Sequence, residues 1–425
     1  MIKKLLFPFF ILALAARAFS QNPAAELVFY KNEAKNTDKK LLSAVSDNLH
    51  FWAARNYSSS NADDALFLAG DIEIRVKNYP RAAITLLRHK YEFPKSPNRD
   101  AAKNLLFSVA ANFDKQTRAE LEKKSHLSVP ENIQTAERLS IFLSEAVKLN
   151  IKNSFDALFV QFQEFFARFP VYENNDKLEL MLGDLYRQNK NYQAAIMQYA
   201  KVYEIYPSAK YKAASLRMMG DIYAGELKNP AKAQYYYDTV LKDFPNSAER
   251  GITYHHLAIF ADNNKDYVSA LDYINKATDI FIKDNQTQKA YEALRYKADL
   301  QEKKIKNYAA AAETLNRTAA MFIKQQDKYI DAKLAAADIY AKKLKDPYGQ
   351  IAAYEDMISN YPQDASSVRT MFETAALYEK MNNTIRAKEL YRHLIIEHPA
   401  DSLAAKAQKR LEAIDKAQAA AAAAK

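Results

Sequence analysis

The chain has 425 residues, of which 49% are hydrophobic and 26% are charged, proportions that favour a folded protein over a disordered one. It contains only 6 glycines, which disfavours sheet folds with many tight turns. It has no cysteine, which excludes disulfides, thiolate metal sites and a lipid anchor on cysteine. The net charge of +10 comes from interspersed acids and bases, so no nucleic-acid-binding face is indicated.

Residues 1–20 have the pattern of a secretory signal peptide. Lys3 and Lys4 precede an apolar run from Leu5 to Ala16, and small residues follow as far as Ser20. Because a membrane span needs about 20 apolar residues, cleavage is favoured over an uncleaved anchor. Removing Lys3, Lys4 and Arg17 lowers the 61 Lys and Arg to 58, against 51 Asp and Glu, which leaves a mild net charge of +7. We therefore expect an exported, periplasmic protein.

A short signature recurs along the chain: Lys, then Asn or Asp, then Tyr or Pro. Its copies begin at Lys77, Lys190, Lys228, Lys265, Lys306 and Lys345, with a weaker copy at Asn382. From Asn191 onward the Asn or Asp recurs at intervals of 38, 37, 41, 39 and 37 residues. Asn and Asp side chains accept hydrogen bonds from the free N–H groups at a helix start. The signature therefore predicts where the second helix of each helix pair begins.

Other landmarks keep the same spacing. In the clearest unit they are a small residue, an aromatic, an alanine, a second aromatic and a proline: Gly183, Tyr186, Ala195, Tyr199 and Pro207. This spacing resembles the tetratricopeptide repeat family over roughly residues 63–96 and 139–414. The resemblance implies an all-α fold, an α-solenoid of stacked antiparallel helix pairs with about seven to nine repeats.

In chain order, the spacing divides the mature chain into five segments. They are an N-terminal helical segment (21–61), one clear unit (62–98), two degenerate units (99–175), an array of six units (176–401), and a capping helix with an Ala-rich tail (402–425). Within them, Asp38 is expected to open a helix from Lys39 to Arg55. Asn153 is a candidate cap for a helix from Phe155 to Phe169.

The residue after the small landmark is aspartate in five units, and we call these five the aspartate row. Its members are Asp71, Asp184, Asp221, Asp299 and Asp338. On a first helix they are expected to face the concave surface of a repeat array, where they would contact a basic partner. Alternatively, each pairs with Lys or Arg of the adjacent unit, or is merely solvated. Arg187, Arg217 and Arg295 lie near these aspartates and have the opposite charge, which favours local ion pairs. Together with the five aspartates, Arg187 and Arg217 are predicted to contact the protein partner.

Signatures of catalysis are missing from the sequence. It has no Gly-rich phosphate loop, no Gly-x-Ser-x-Gly elbow and no His-Glu-x-x-His. His255 and His256 are adjacent on a predicted helix and so point in different directions, unlike metal ligands three or four residues apart. We expect no enzyme activity, no cofactor and no metal.

The unit endings are similar to those of bacterial envelope repeat proteins, of the Tol–Pal coordinator and β-barrel assembly lipoprotein type. They are Phe93-Pro94-Lys95-Ser96, Tyr206-Pro207-Ser208 and Phe244-Pro245-Asn246-Ser247. The chain lacks the cysteine of the lipoprotein and the N-terminal heptads of the coordinator. The resemblance implies a scaffold that binds other proteins of the cell envelope, with no nucleic acid and at most weak membrane association. The alternative is an outer-membrane or cell-wall assembly factor that associates with membrane or peptidoglycan.

Overall fold

The computed structural model describes residues 22–206 and 210–423, with side chains as far as 420. The predicted signal peptide (1–20) and Pro207 lie outside these residues. The described residues contain 21 α-helices and no strand, which confirms the all-α prediction. Counted two at a time along the chain, these helices number slightly more than the expected seven to nine repeats require.

The chain divides into two compact units, Met1–Lys228 and Asn229–Lys425, called here the N-terminal and C-terminal units. The boundary falls inside the stretch 176–401, which the spacing predicts as one array. The N-terminal unit contains α1 (Pro23–Glu33), α2 (Lys39–Arg55), α3 (Ala62–Arg75), α4 (Tyr79–Glu92), α5 (Arg99–Ala110), α6 (Lys115–His126), α7 (Thr135–Leu149), α8 (Phe155–Arg168), α9 (Asn175–Gln188), α10 (Tyr192–Ile205) and α11 (Lys212–Gly225).

The C-terminal unit continues the same alternation of first and second helices. It contains α12 (Pro230–Asp243), α13 (Glu249–Asn263), α14 (Tyr267–Lys283), α15 (Thr287–Asp299), α16 (Tyr308–Met321), α17 (Gln326–Ile339), α18 (Pro347–Asn360), α19 (Ala365–Lys380), α20 (Thr384–Glu397) and α21 (Ser402–Ala423). The closing helix α21 buries Ala407 and Ile414 against the preceding pair.

The predicted helix caps are confirmed. Asn or Asp accepts a hydrogen bond from a first-turn N–H at Asp38, Asn78, Asn191, Asn229, Asp266, Asn307, Asp346 and Asn383. The residue before the cap in each signature copy has a positive φ, between 49° and 65°. This left-handed position ends the first helix, and Lys or Asn fills it where Gly is the usual choice.

The prediction that Asn153 caps the helix at Phe155 is wrong. Asn153 itself adopts the left-handed conformation, with a φ of 64°, and Ser154 takes the N-cap position without a side-chain hydrogen bond. The helix starts at the expected residue, Phe155, but its first turn lacks the side-chain cap.

Two first helices end in a π-helical turn, Leu300–Ile305 after α15 and Tyr340–Leu344 after α17. At ordinary junctions the capping residue's N–H donates to a carbonyl five residues back, as from Asp266 to Ala261. After the π-turns, the N–H of the capping residue donates to a carbonyl six residues back, from Asn307 to Gln301 and from Asp346 to Tyr340. The wider turns accommodate the extra residue in these longer repeats.

Candidate functional site

The small landmark residue lets the two helices of a pair approach closely. A Cβ on Gly183 would clash with the ring of Tyr199, which is completely buried on the partner helix α10. The hydroxyl of Tyr199 donates to Oδ1 of Asp184 at 2.6 Å. Burial raises the pKa of Asp184, although Tyr199, Arg187 and Arg217 act in the opposite sense. This member of the aspartate row therefore helps to hold its own helix pair together.

The other four members of the aspartate row pair with a cation four residues away, on the same helix or on the π-turn that continues it. The pairs are Asp71 with Arg75 at 4.0 Å, Asp221 with Arg217 at 2.6 Å, Asp299 with Lys303 at 2.9 Å, and Asp338 with Lys342 at 2.6 Å. Residues four apart are neighbours on a helix surface, so these pairs form within one repeat and not between adjacent repeats. All five aspartates thus have an intramolecular partner. Their role as contacts to another protein stays a prediction.

The members of the row differ in exposure. Asp221 and Arg217 are nearly buried, with 7% and 11% of their side chains exposed, whereas the side chains of Asp299 and Asp338 are half exposed. Removing one partner of a buried ion pair costs much free energy of unfolding, whereas an exposed pair contributes only about 0–1 kcal/mol. Asp299 and Asp338 can therefore exchange their lysines for a partner's charges more readily than Asp221 can.

The arginines near the row connect successive first helices. Nε of Arg187 on α9 donates to Oε1 of Glu226, the residue after α11, at 3.0 Å. Burial alone would lower the pKa of Arg187, but the hydrogen bond and charge of Glu226 raise it. In the C-terminal unit, Nε of Arg295 on α15 lies 3.3 Å from Oδ2 of Asp331 on α17.

A tyrosine makes a similar connection one helix earlier. The hydroxyl of Tyr296 on α15 donates to Oδ2 of Asp262 on α13 at 3.1 Å. Sequence reasoning singled out the arginines but missed Tyr296 and the three acceptors, Glu226, Asp331 and Asp262. The signal available was spacing, because each acceptor lies about one repeat length from its donor.

These contacts define a surface that we call the first-helix strip: Arg295, Asp299, Asp331 and Asp338 in the C-terminal unit. All four lie on the first helices α15 and α17, and the side chains of the three aspartates are half exposed. The strip presents charges of both signs in a fixed order. A protein partner would complement the strip by placing basic groups against its aspartates and an acidic group against Arg295.

Two kinds of site are not found among the described residues. In this part of the chain no three His, Asp or Glu side chains are grouped so that they could hold a metal ion. No helix in residues 22–206 and 210–423 is long and apolar enough to cross a membrane.

The sequence pattern of the tetratricopeptide repeat family matches residues 178–209 and 214–247. No curated protein matches the sequence. Among solved structures, a tetratricopeptide repeat protein from Parabacteroides merdae is 16% identical, with a TM-score of 0.34, covering 64% of this chain and 97% of that one. The C-terminal part of a TPR repeat-containing protein from Cytophaga hutchinsonii is 14% identical, with a TM-score of 0.38, covering 67% and 98%.

A third solved structure, a Rap protein complexed with Competence and Sporulation Factor, is 15% identical, with a TM-score of 0.36, covering 92% of this chain and 98% of that one. The first matched segment contains Gly183 and Tyr199, two landmarks of the sequence spacing, and the second contains Gly220 and Tyr237 at the equivalent positions one repeat later. The repeat signature, the helix pairs and the family match agree that residues 178–209 and 214–247 are tetratricopeptide repeats, and the described residues before and after them also form alternating first and second helices.

Proposed function

We propose that the chain is a non-enzymatic scaffold that binds other proteins through the first-helix strip, and that it works in the bacterial cell envelope. Tetratricopeptide repeat proteins are generally protein-binding scaffolds. The observation that carries the proposal is the half-exposed state of Asp299 and Asp338, whose lysine partners a bound protein can replace at little cost.

The envelope location is supported by residues 1–20, whose charged start, apolar run and small residues have the order of a signal peptide. The absence of cysteine from the sequence is compatible with an oxidising compartment. Cell fractionation tests this part separately. Recovery of the chain in the periplasm with its N-terminus removed would support export, and full-length chain in the cytoplasm would contradict it.

The binding surface is tested by reversing the charge of its exposed aspartates. In the variant Asp299→Lys/Asp338→Lys, a partner's basic groups meet like charge, so recovery of crosslinked protein partners should fall several-fold. The matched control is Asp272→Lys on the second helix α14, because Asp272 also pairs with a lysine four residues on, Lys276, at 2.6 Å and is similarly exposed. Equal losses in both variants, or no partner recovered with the unchanged chain, would contradict the proposed surface.

A further inference from the structure

The two π-helical turns share a sequence that the repeat architecture does not require. Lys303-Lys304-Ile305-Lys306 recurs as Lys342-Lys343-Leu344-Lys345, 39 residues later. Both copies end a first helix and finish on a left-handed lysine, with φ of 59° at Lys306 and 54° at Lys345. We call these two segments the basic turns.

The basic turns lie side by side in the C-terminal unit. The ammonium of Lys343 lies 5.7 Å from the ring centroid of Tyr308, which follows the first basic turn by two residues. The hydroxyl of Tyr340, the first residue of the second π-turn, accepts a hydrogen bond from Asn316 on α16 at 3.2 Å. The six lysines of the two copies therefore belong to one continuous edge of this unit.

Only some of this positive charge is neutralised by nearby carboxylates. Lys303 and Lys342 pair with the aspartates of the aspartate row, and Lys304 lies 3.9 Å from a carboxylate oxygen of Asp262. Asp346 follows the second turn, but its carboxylate accepts the N–H groups of Tyr348 and Gly349 as a helix cap. Glu302 is the one acidic residue inside the two turns.

Lys343 has only the ring of Tyr308 beside its ammonium, and Lys306 and Lys345 have no partner at all in the part of the chain that the structure describes. Both are exposed, and neither makes an ion pair or a side-chain hydrogen bond within the described residues. Lys265 occupies the equivalent left-handed position one repeat earlier and is likewise exposed and unpaired within that part of the chain. Three cations without partners thus recur along this edge, one per repeat.

Apolar side chains stand exposed next to these lysines. Val268 and Tyr348 each lie two residues after the capping Asp of a repeat whose left-handed residue is lysine, and they are 82% and 71% exposed. Ile385 has the same position in the repeat whose left-handed residue is Asn382, and it is 72% exposed. Leu344, inside the second basic turn, is 36% exposed. The edge therefore combines free lysines with large apolar groups that contact no core.

We propose that this edge of the C-terminal unit docks on an anionic lipid surface. A lysine ammonium is a point charge that attracts phosphate headgroups without requiring a fixed bidentate geometry. Tyr, Val, Ile and Leu side chains gain by entering the boundary between headgroups and acyl chains. A nucleic acid would use the lysines but would leave the exposed aliphatic side chains without a role. The proposal does not depend on the first-helix strip.

The test is flotation of the full chain with vesicles of phosphatidylcholine containing about 30% phosphatidylglycerol, compared with phosphatidylcholine alone. Lys306→Glu/Lys345→Glu should weaken binding to the anionic vesicles at least tenfold, and added salt should weaken binding of the unchanged chain. The matched control is Lys77→Glu/Lys190→Glu, since both lysines are exposed, unpaired within the described residues and in the same left-handed position, but in the N-terminal unit.

A second variant, Val268→Ser/Tyr348→Ser, tests the apolar part and keeps every charge. It should weaken vesicle binding several-fold and leave the helix content measured by circular dichroism unchanged. Equal binding to neutral and anionic vesicles would overturn the proposal, and so would an equal loss in the Lys77/Lys190 control. Binding to heparin or nucleic acid without binding to vesicles would overturn it as well.

Discussion

His89 is a completely buried titratable residue in the N-terminal unit. Its ring lies between Phe67 and Phe93, with centroid distances of 6.1 and 5.9 Å, and neither ring nitrogen has a hydrogen-bond partner. Burial lowers the pKa of His89 to about 4, although the carboxylates of Asp63, Glu92 and Asp64 act in the opposite sense. The folded state therefore holds this imidazole in its neutral form.

This lowered pKa predicts a loss of stability in mild acid. The unfolded chain takes up a proton at His89 near pH 6.5, whereas the folded chain does so only near pH 4. The contribution to the free energy of unfolding is therefore complete above pH 6.5 and declines as the pH falls toward 4, by up to about 3 kcal/mol. Urea unfolding at several pH values between 4.5 and 7 measures this decline.

The variant His89→Leu removes the titrating group and should flatten the decline over the same pH range. His393→Leu is the control, because His393 is exposed on α20. If the His89 variant keeps the pH profile of the unchanged chain, acid sensitivity arises elsewhere.

Other single residues show why the site is harder to predict than the fold. The sequence correctly suggests that Arg187 and Arg217 favour local pairing, but it does not identify their partners. Arg217 pairs within its own helix, whereas Arg187 reaches Glu226 on the next repeat. The carboxylate that each arginine pairs with depends on how far consecutive first helices are offset along their axes. This offset is set by packing and cannot be read from one sequence.

At the scale of elements, the junction between two helices is the most regular feature of the chain. The helix starts are predictable because the capping side chain and the N–H groups it binds lie within three residues of each other. The left-handed lysines were not predicted, because the position usually selects Gly and this chain has only 6 glycines. The π-turns were not predicted either, since an extra residue in a turn can be absorbed in several ways.

The π-turn after α15 predicts an unequal tolerance to deletions. The N–H of Asn307 donates to the carbonyl of Gln301, six residues back. Deleting Lys304 should shorten this separation to the five residues of an ordinary junction, and little stability should be lost because π-helical hydrogen bonds are no better than α-helical ones. We expect the urea midpoint to change little. In the ordinary junction after α13, the N–H of Asp266 donates to the carbonyl of Ala261, five residues back. Deleting Asn264 should disrupt this hydrogen bond, because the junction has no extra residue to lose.

Circular dichroism and urea unfolding of the two deletion variants check this expectation. A midpoint that falls markedly more for the Asn264 deletion than for the Lys304 deletion supports it. Equal sensitivity would mean that the π-turn is as strictly required as the ordinary junction.

At the scale of the whole molecule, helices pack mainly on their neighbours in the chain. Each compact unit has its own buried clusters, such as those around Phe162 in the N-terminal unit and around Leu394 in the C-terminal unit. Repeat proteins of this kind have stabilities that approximate a sum of local terms. The helical architecture was predictable because each repeat encodes it again. The division at residues 228 and 229 was not, because the repeat spacing continues across it.

Local stability predicts that damage in one unit stays there. Gly183→Ala forces the new methyl group against Tyr199 and should cost about 1–3 kcal/mol in the N-terminal unit, whereas Leu394→Ala leaves a cavity worth about 2–5 kcal/mol in the C-terminal unit. Hydrogen exchange should speed up in peptides from residues 175–205 for the first variant and from 384–414 for the second, with the distant peptides unchanged. Gly225→Ala is the control, because the added methyl group would meet nothing within 4 Å apart from its own chain neighbours and the backbone of its own helix. If either variant accelerates exchange in both regions together, the two units unfold as one cooperative structure, and their separate cores do not confer separate stability.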